Sequence, residues 1–208
     1  MIRKPNNWEN VHAFGTRQKL PVGAYVCTIK QAVVQSNSYG EQLCILFDIS
    51  AGAYSGYYNN DFCSNTRTDK KWRGVYRLFL PRDDGSDKDE WTKSRLKGLL
   101  TSIEESNPGY KWDWNEKTLA GKEIGIIFRN EEWEYNGKTG WSARPFIAVS
   151  VDTVESGNYQ LPDDKPLNRN DGFGTVSPVY TAPAPAAEPV APVFDFQMLM
   201  DDDAQLPF

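Results

Sequence analysis

Seven prolines, Pro162, Pro166, Pro178, Pro183, Pro185, Pro189 and Pro192, recur among Ala, Asp, Asn and Gly after Leu161. Proline has no backbone donor and a fixed φ, so this stretch is expected to build neither helix nor sheet. The folded part must therefore lie upstream, in about 160 residues, the size of a single domain. A hydrophobic share of 39% over 208 residues is slightly low for a wholly globular chain, consistent with part of it staying unfolded. The expected organisation is an N-terminal arm (1–19), a globular domain (20–160), a Pro-rich disordered linker (161–193) and a terminal tip (194–208).

Charge divides at the same place. The formal sum is 23 − 28 = -5, but residues 1–160 hold 21 Lys+Arg against 20 Asp+Glu, net +1. Residues 161–208 hold only Lys165 and Arg169 against eight acids, net -6. The acidity belongs to the tail, and the body keeps basic clusters of its own. At the very end Phe194, Phe196, Met198, Leu199, Leu206 and Phe208 stand among aspartates. A purely solubilising linker has no use for them, so this end reads as a peptide meant to be bound.

Several classes are excluded or disfavoured. No apolar run approaches the 18 residues of a membrane span, and the polar start of the chain does not resemble a secretory leader. Cys27, Cys44 and Cys63 are odd in number with no close pair, against a disulfide framework or a four-cysteine zinc site. His12 is the single histidine. In Asp83–Glu90, Gly85 falls at the third position where a calcium loop needs glycine at the sixth. Gly137-Lys138-Thr139 lacks the upstream glycine of a phosphate loop, and there is no serine elbow or HExxH. The expectation is a reduced, soluble protein of the cytoplasm, non-catalytic, with no cofactor and no metal.

The body reads as strands around one helix. Gly23–Val34 is β-branched and aromatic, Ser36–Gly40 is turn chemistry, and Gln42–Ile49 places Leu43, Ile45, Phe47 and Ile49 on one face at period two. A third strand lies in Tyr54–Phe62 or in Trp72–Leu80. Asp87 followed by Glu90 has the spacing of a capping box, and Trp91, Leu96, Leu99, Leu100 and Ile103 form a helical stripe that Asn107-Pro108-Gly109 ends. A strand from Lys122 through Phe128 to Tyr135 turns at Asn136-Gly137, and Trp141–Val151 returns beside it. The order β-β-β-α-β-β is that of an OB-fold, a five-stranded Greek-key barrel, with an SH3-like or other small barrel as the alternative.

Aromatic and basic residues interleave in two places. In the first, Lys71, Arg73 and Arg77 would share one strand face, and Trp72 and Tyr76 the other. In the second, Trp133, Tyr135 and Trp141 stand among Arg129, Lys138 and Arg144, and the turn length decides whether Trp141 faces Trp133. Single-stranded nucleic acid needs this mixture, since bases stack on aromatic faces for about 1–3 kcal/mol each while Lys and Arg neutralise phosphates. The competing reading is that these tryptophans are core. Tyr54, Tyr57 and Tyr58 are weaker candidates, and Trp112 and Trp114 are expected to be packed.

The end of the chain, Asp201, Asp202, Asp203, Ala204, Gln205, Leu206, Pro207, Phe208, resembles the acidic tip of bacterial single-stranded DNA-binding proteins. That family joins an OB-fold core to a disordered linker and a run of aspartates ending in Ile-Pro-Phe; here Leu206 stands for the isoleucine, and Ala204-Gln205 is an insertion. The resemblance implies that Phe208 fills an apolar pocket on a replication or recombination protein, its carboxylate meeting a base and Asp201–Asp203 meeting basic residues at the rim. The body resembles the divergent single-strand binders of phages and mobile elements, in Leu20–Tyr25, Phe47–Tyr57 and Ile103–Tyr110. This implies a sequence-tolerant coat of single-stranded DNA in a bacterial host cell, with a homo-oligomer allowed. The alternatives are a protein-interaction module, such as a recombination mediator, that never touches DNA, and a nuclease, for which no converging carboxylates are found. The acidic tail is further expected to compete with DNA for the basic face.

Overall fold

The computed structural model describes residues 3–5, 8 and 19–167. His12, the residues of the linker beyond Leu167, and the tip with Asp201, Asp202, Asp203, Leu206, Pro207 and Phe208 lie outside the described residues.

Strands β1 (Ala24–Asn37) and β2 (Gly40–Ile49) form the expected hairpin. The period-two reading of β2 holds: Leu43, Ile45, Phe47 and Ile49 are all buried. β3 (Val75–Phe79) pairs with β2, β4 (Glu123–Tyr135) pairs with the first half of β1, and β5 (Lys138–Val149) pairs with β4. The result is a five-stranded antiparallel sheet in the order β3-β2-β1-β4-β5. In β1 the register shifts between Ile29 and Gln31. The extra residue keeps the buried row continuous, from Cys27 and Ile29 to Ala32, while the strand bends.

The two places offered for a third strand resolve in favour of the later one. Residues 57–62 of the earlier one lie in a helix, α1 (Tyr57–Ser64), whose cap comes from elsewhere in the fold. Asp48, buried on β2, accepts hydrogen bonds from the amides of Tyr58 (3.0 Å) and Asn59 (3.3 Å). A carboxylate at the donor end of a helix satisfies orphan amides and complements the helix dipole.

The long helix α2 spans Asp87–Ser106, with Leu99 and Ile103 buried and Leu96 packed against the core. Its cap is Ser86, one residue before the expected Asp87: Ser86 Oγ accepts from the Asp89 amide at 3.2 Å. Asp89 turns inward, accepting from the amides of Arg82 (2.7 Å) and Asp83 (3.1 Å) and pairing with Lys93 at 2.9 Å.

Six rings close a circuit at one end of the core. Edge contacts run from Tyr25 to Tyr54, Tyr57, Tyr58, Phe47, Phe128 and back to Tyr25, with centroids 5.1–6.3 Å apart. Edge-to-face geometry is the favoured arrangement for such rings. Tyr54, Tyr57 and Tyr58 therefore belong to packing. The thiols of Cys27 and Cys44 are also buried, and burial pushes that of Cys27 up.

The outer strands β3 and β5 come into contact, and Arg95 of α2 joins them. Its Nη2 donates to Tyr76 Oη on β3 (3.1 Å) and to the Phe146 carbonyl on β5 (2.7 Å). After β5 a short helix, α3 (Val151–Glu155), covers Gly125, where a Cβ would lie 2.5 Å from Val154 Cγ2. The chain then returns along β4. Lys165 makes a parallel bridge to Glu131, so the expectation that the segment after Leu161 builds no sheet is corrected at this point. No helix among the described residues is long and apolar enough to cross a membrane.

Candidate nucleic-acid interface

The β4–β5 hairpin extends beyond the part of β4 that pairs with β1, which ends at Ile127. Its turn is the two residues Asn136 and Gly137, with φ of 49° and 70°. Positive φ at both central residues is the geometry that matches strand twist in a two-residue hairpin, and Asn-Gly supplies it at least cost. The turn fixes the register: Tyr135 faces Lys138, Trp133 faces Gly140, Glu132 faces Trp141 and Arg129 faces Arg144.

Residues directly opposite share a face, and alternate residues along a strand change face. One face of the hairpin therefore carries Arg129, Trp133, Tyr135, Lys138 and Arg144. Trp141 lies on the other face with Glu132 and Ala143, and Ala143 packs against the core. The open question of the turn length is thus answered: the two-residue turn separates Trp141 from Trp133.

On the first face Trp133 is 38% and Tyr135 56% exposed, and Lys138 and Arg144 are exposed beside them. The indole of Trp133 rests on Gly140, whose missing side chain makes room for it. Arg129 is mostly buried: its Nη2 meets Glu131 at 2.6 Å and its guanidinium lies 4.2 Å from the Phe146 ring centroid. Charge on this hairpin is balanced by Glu131, Glu132 and Glu134, which the sequence reading passed over. Two of these are engaged, Glu131 by Arg129 and Glu132 by the Leu167 amide at 3.1 Å.

The earlier cluster is divided. Arg77 is exposed on the outer face of β3, while Lys71 and Arg73 are exposed in the segment before that strand begins. Arg73 lies 3.8 Å from Asp61. The aromatic partners are buried to different extents. Tyr76 is only 4% exposed and faces the core. Trp72 packs half-buried against the core, and its Nε1 donates to the carbonyls of Phe47 (3.0 Å) and Gly74 (3.1 Å). Tyr76 is corrected from a stacking candidate to a structural residue, because alternation along β3 sends it inward with Leu78; Trp72 is anchored to the backbone through its indole N–H and keeps only part of its ring exposed.

Three exposed aromatics among the described residues fall outside the expected set: Trp8 (57% exposed), Trp114 and Tyr39. Trp114 was expected to pack, and Trp112 does, but Trp114 is 80% exposed on a backbone with φ 64°. Tyr39, at the β1–β2 turn, is 53% exposed, and its carbonyl accepts from Arg82 Nη2. Only the turn chemistry around it signalled that exposure. Among the described residues there is no cluster of His, Cys, Asp and Glu suited to a metal ion. The chain matches no protein-family model and no curated protein.

Proposed function

We propose that this protein binds single-stranded DNA without sequence preference, through the exposed face of the β4–β5 hairpin, and that it is not an enzyme. The observation that carries the reading is the placement of Trp133 and Tyr135 beside Lys138 and Arg144 on one solvent-facing surface. Stacking rings with adjacent cations are what a flexible, charged strand of bases requires. Arg77 on the outer face of β3 and Lys71 and Arg73 before it are further exposed cations that bring no ring with them. The sheet is read as a partly open OB-like barrel: its order and the meeting of β3 and β5 under Arg95 support that architecture. In this reading the acidic tip recruits a replication or recombination protein of a phage or mobile element.

A second reading, a protein-interaction module, is favoured by one observation, the three glutamates that balance the hairpin's cations. Titrating the intrinsic tryptophan fluorescence with a poly-thymidine oligonucleotide and with duplex of equal length, at two salt concentrations, separates the two. Quenching by the single strand alone, weakened by salt, is expected. Absence of any response sinks DNA binding and leaves the interaction module.

A further inference from the structure

Beyond Phe128 the hairpin has lost β1 as a neighbour, and a two-stranded ribbon is marginally stable by itself in water. Residues 163–167 take the vacant edge. The Lys165 amide donates to the Asn130 carbonyl at 2.8 Å, and the Glu132 amide donates to the Lys165 carbonyl at 2.9 Å. Two side-chain bonds flank this pair: Asn130 Nδ2 to Asp164 Oδ2 (3.3 Å) and the Leu167 amide to Glu132 Oε2 (3.1 Å).

The local sequence suits an edge strand. Pro166 biases Lys165 toward the extended conformation that pairing needs. Residue 165 uses both of its backbone groups on β4, so the next amide points away from the sheet and its loss in proline costs no ladder bond. The same proline blunts the new edge against further strand addition.

We propose that residues 163–167 are a positioning strap, a third strand that holds the β4–β5 hairpin in the geometry in which Trp133 and Tyr135 meet bases. The inference rests on the single-strand-binding reading. Ladder hydrogen bonds lie in the plane of the sheet, so the strap stiffens the hairpin from its edge and leaves the aromatic face open. Ordering the binding element before the ligand arrives reduces the entropy lost on binding. The functional domain then reaches at least to Leu167, past the compositional boundary at 160.

The test uses the full-length chain in two forms. Lys165→Pro removes the amide that bonds Asn130; Lys165→Ala removes the charge but keeps the amide. The expected result is a three- to tenfold rise in the dissociation constant for the poly-thymidine strand in Lys165→Pro, about what one or two hydrogen bonds supply, and near wild-type affinity in Lys165→Ala. Equal weakening in both variants, or none in either, overturns the strap. Amide hydrogen exchange gives a second readout that needs no DNA: Glu132 and its hairpin neighbours should lose protection in Lys165→Pro alone, and unchanged protection overturns the strap. If the wild-type chain binds no oligonucleotide, the functional reading falls, and exchange by itself decides whether the strap orders the hairpin.

Discussion

Gly140 lies under the indole of Trp133 so closely that a Cβ at position 140 would sit 2.6 Å from Trp133 Cζ2. The pair faces across β4 and β5, and the ring covers the strand where no side chain competes for space. An aromatic over a cross-strand glycine recovers contact area that glycine would otherwise forfeit.

Gly140→Ala is therefore expected to displace the indole while the chain stays folded. The Trp133 emission should shift and oligonucleotide affinity should fall, with a loss of stability of about 1 kcal/mol. An unchanged spectrum and unchanged affinity would remove Trp133 from the site.

Trp133→Ala and Tyr135→Ala should each weaken single-strand binding by about 1–3 kcal/mol, with little effect on thermal stability for the more exposed Tyr135 and a modest loss for Trp133, whose indole gives up its contact with Gly140. Comparing melting curves with binding isotherms for the same samples checks both halves of that statement. Loss of stability without loss of affinity would place these rings in packing.

Trp72→Phe should do the opposite. The substitution keeps a ring near Phe62 but abandons the hydrogen bonds to Phe47 and Gly74, costing about 1–3 kcal/mol of stability. Affinity per folded molecule should be unchanged. A Trp72→Phe protein of native stability that no longer quenches with DNA would return Trp72 to the interface.

Acid should loosen the start of α2. Lys93 first, then the amides of Arg82 and Asp83, hold the Asp89 carboxyl below its usual range. A carboxyl with a lowered folded pKa contributes fully above the unfolded value of about 3.9 and loses that contribution as pH falls through the lower folded value. Melting temperature should thus decline below about pH 4, and Asp89→Asn should make that decline shallower. Parallel acid limbs in the two proteins would assign the decline to other carboxyls, Glu104 among them, whose own pKa is lowered by Lys111 and the Trp112 amide.

Much of the sheet was legible because its signals are local. The alternation of Leu43, Ile45, Phe47 and Ile49, the Asn136-Gly137 turn and the stripe of α2 each act within a few residues, and each lies where its pattern placed it. The hairpin rings were legible for the same reason, although which of them share a face waited on the turn. What escaped depends on partners distant in sequence. Tyr57–Ser64 has the composition of a strand or a bend, yet it is helical because Asp48, ten residues away from Tyr58, caps it from β2. Tyr76 and Arg77 are both plausible surface residues until the neighbour on each side of β3 is known.

The sequence by itself determined that acidity and proline concentrate after Leu161, and it determined the strand periods and the hairpin turn, since composition, alternation and positive φ are properties of short segments. Tertiary structure alone decided which aromatics are exposed, that Arg95 joins β3 to β5, and that Lys165 belongs to the sheet. Those outcomes follow from burial and from backbone groups seeking partners, and both depend on what the rest of the chain brings alongside.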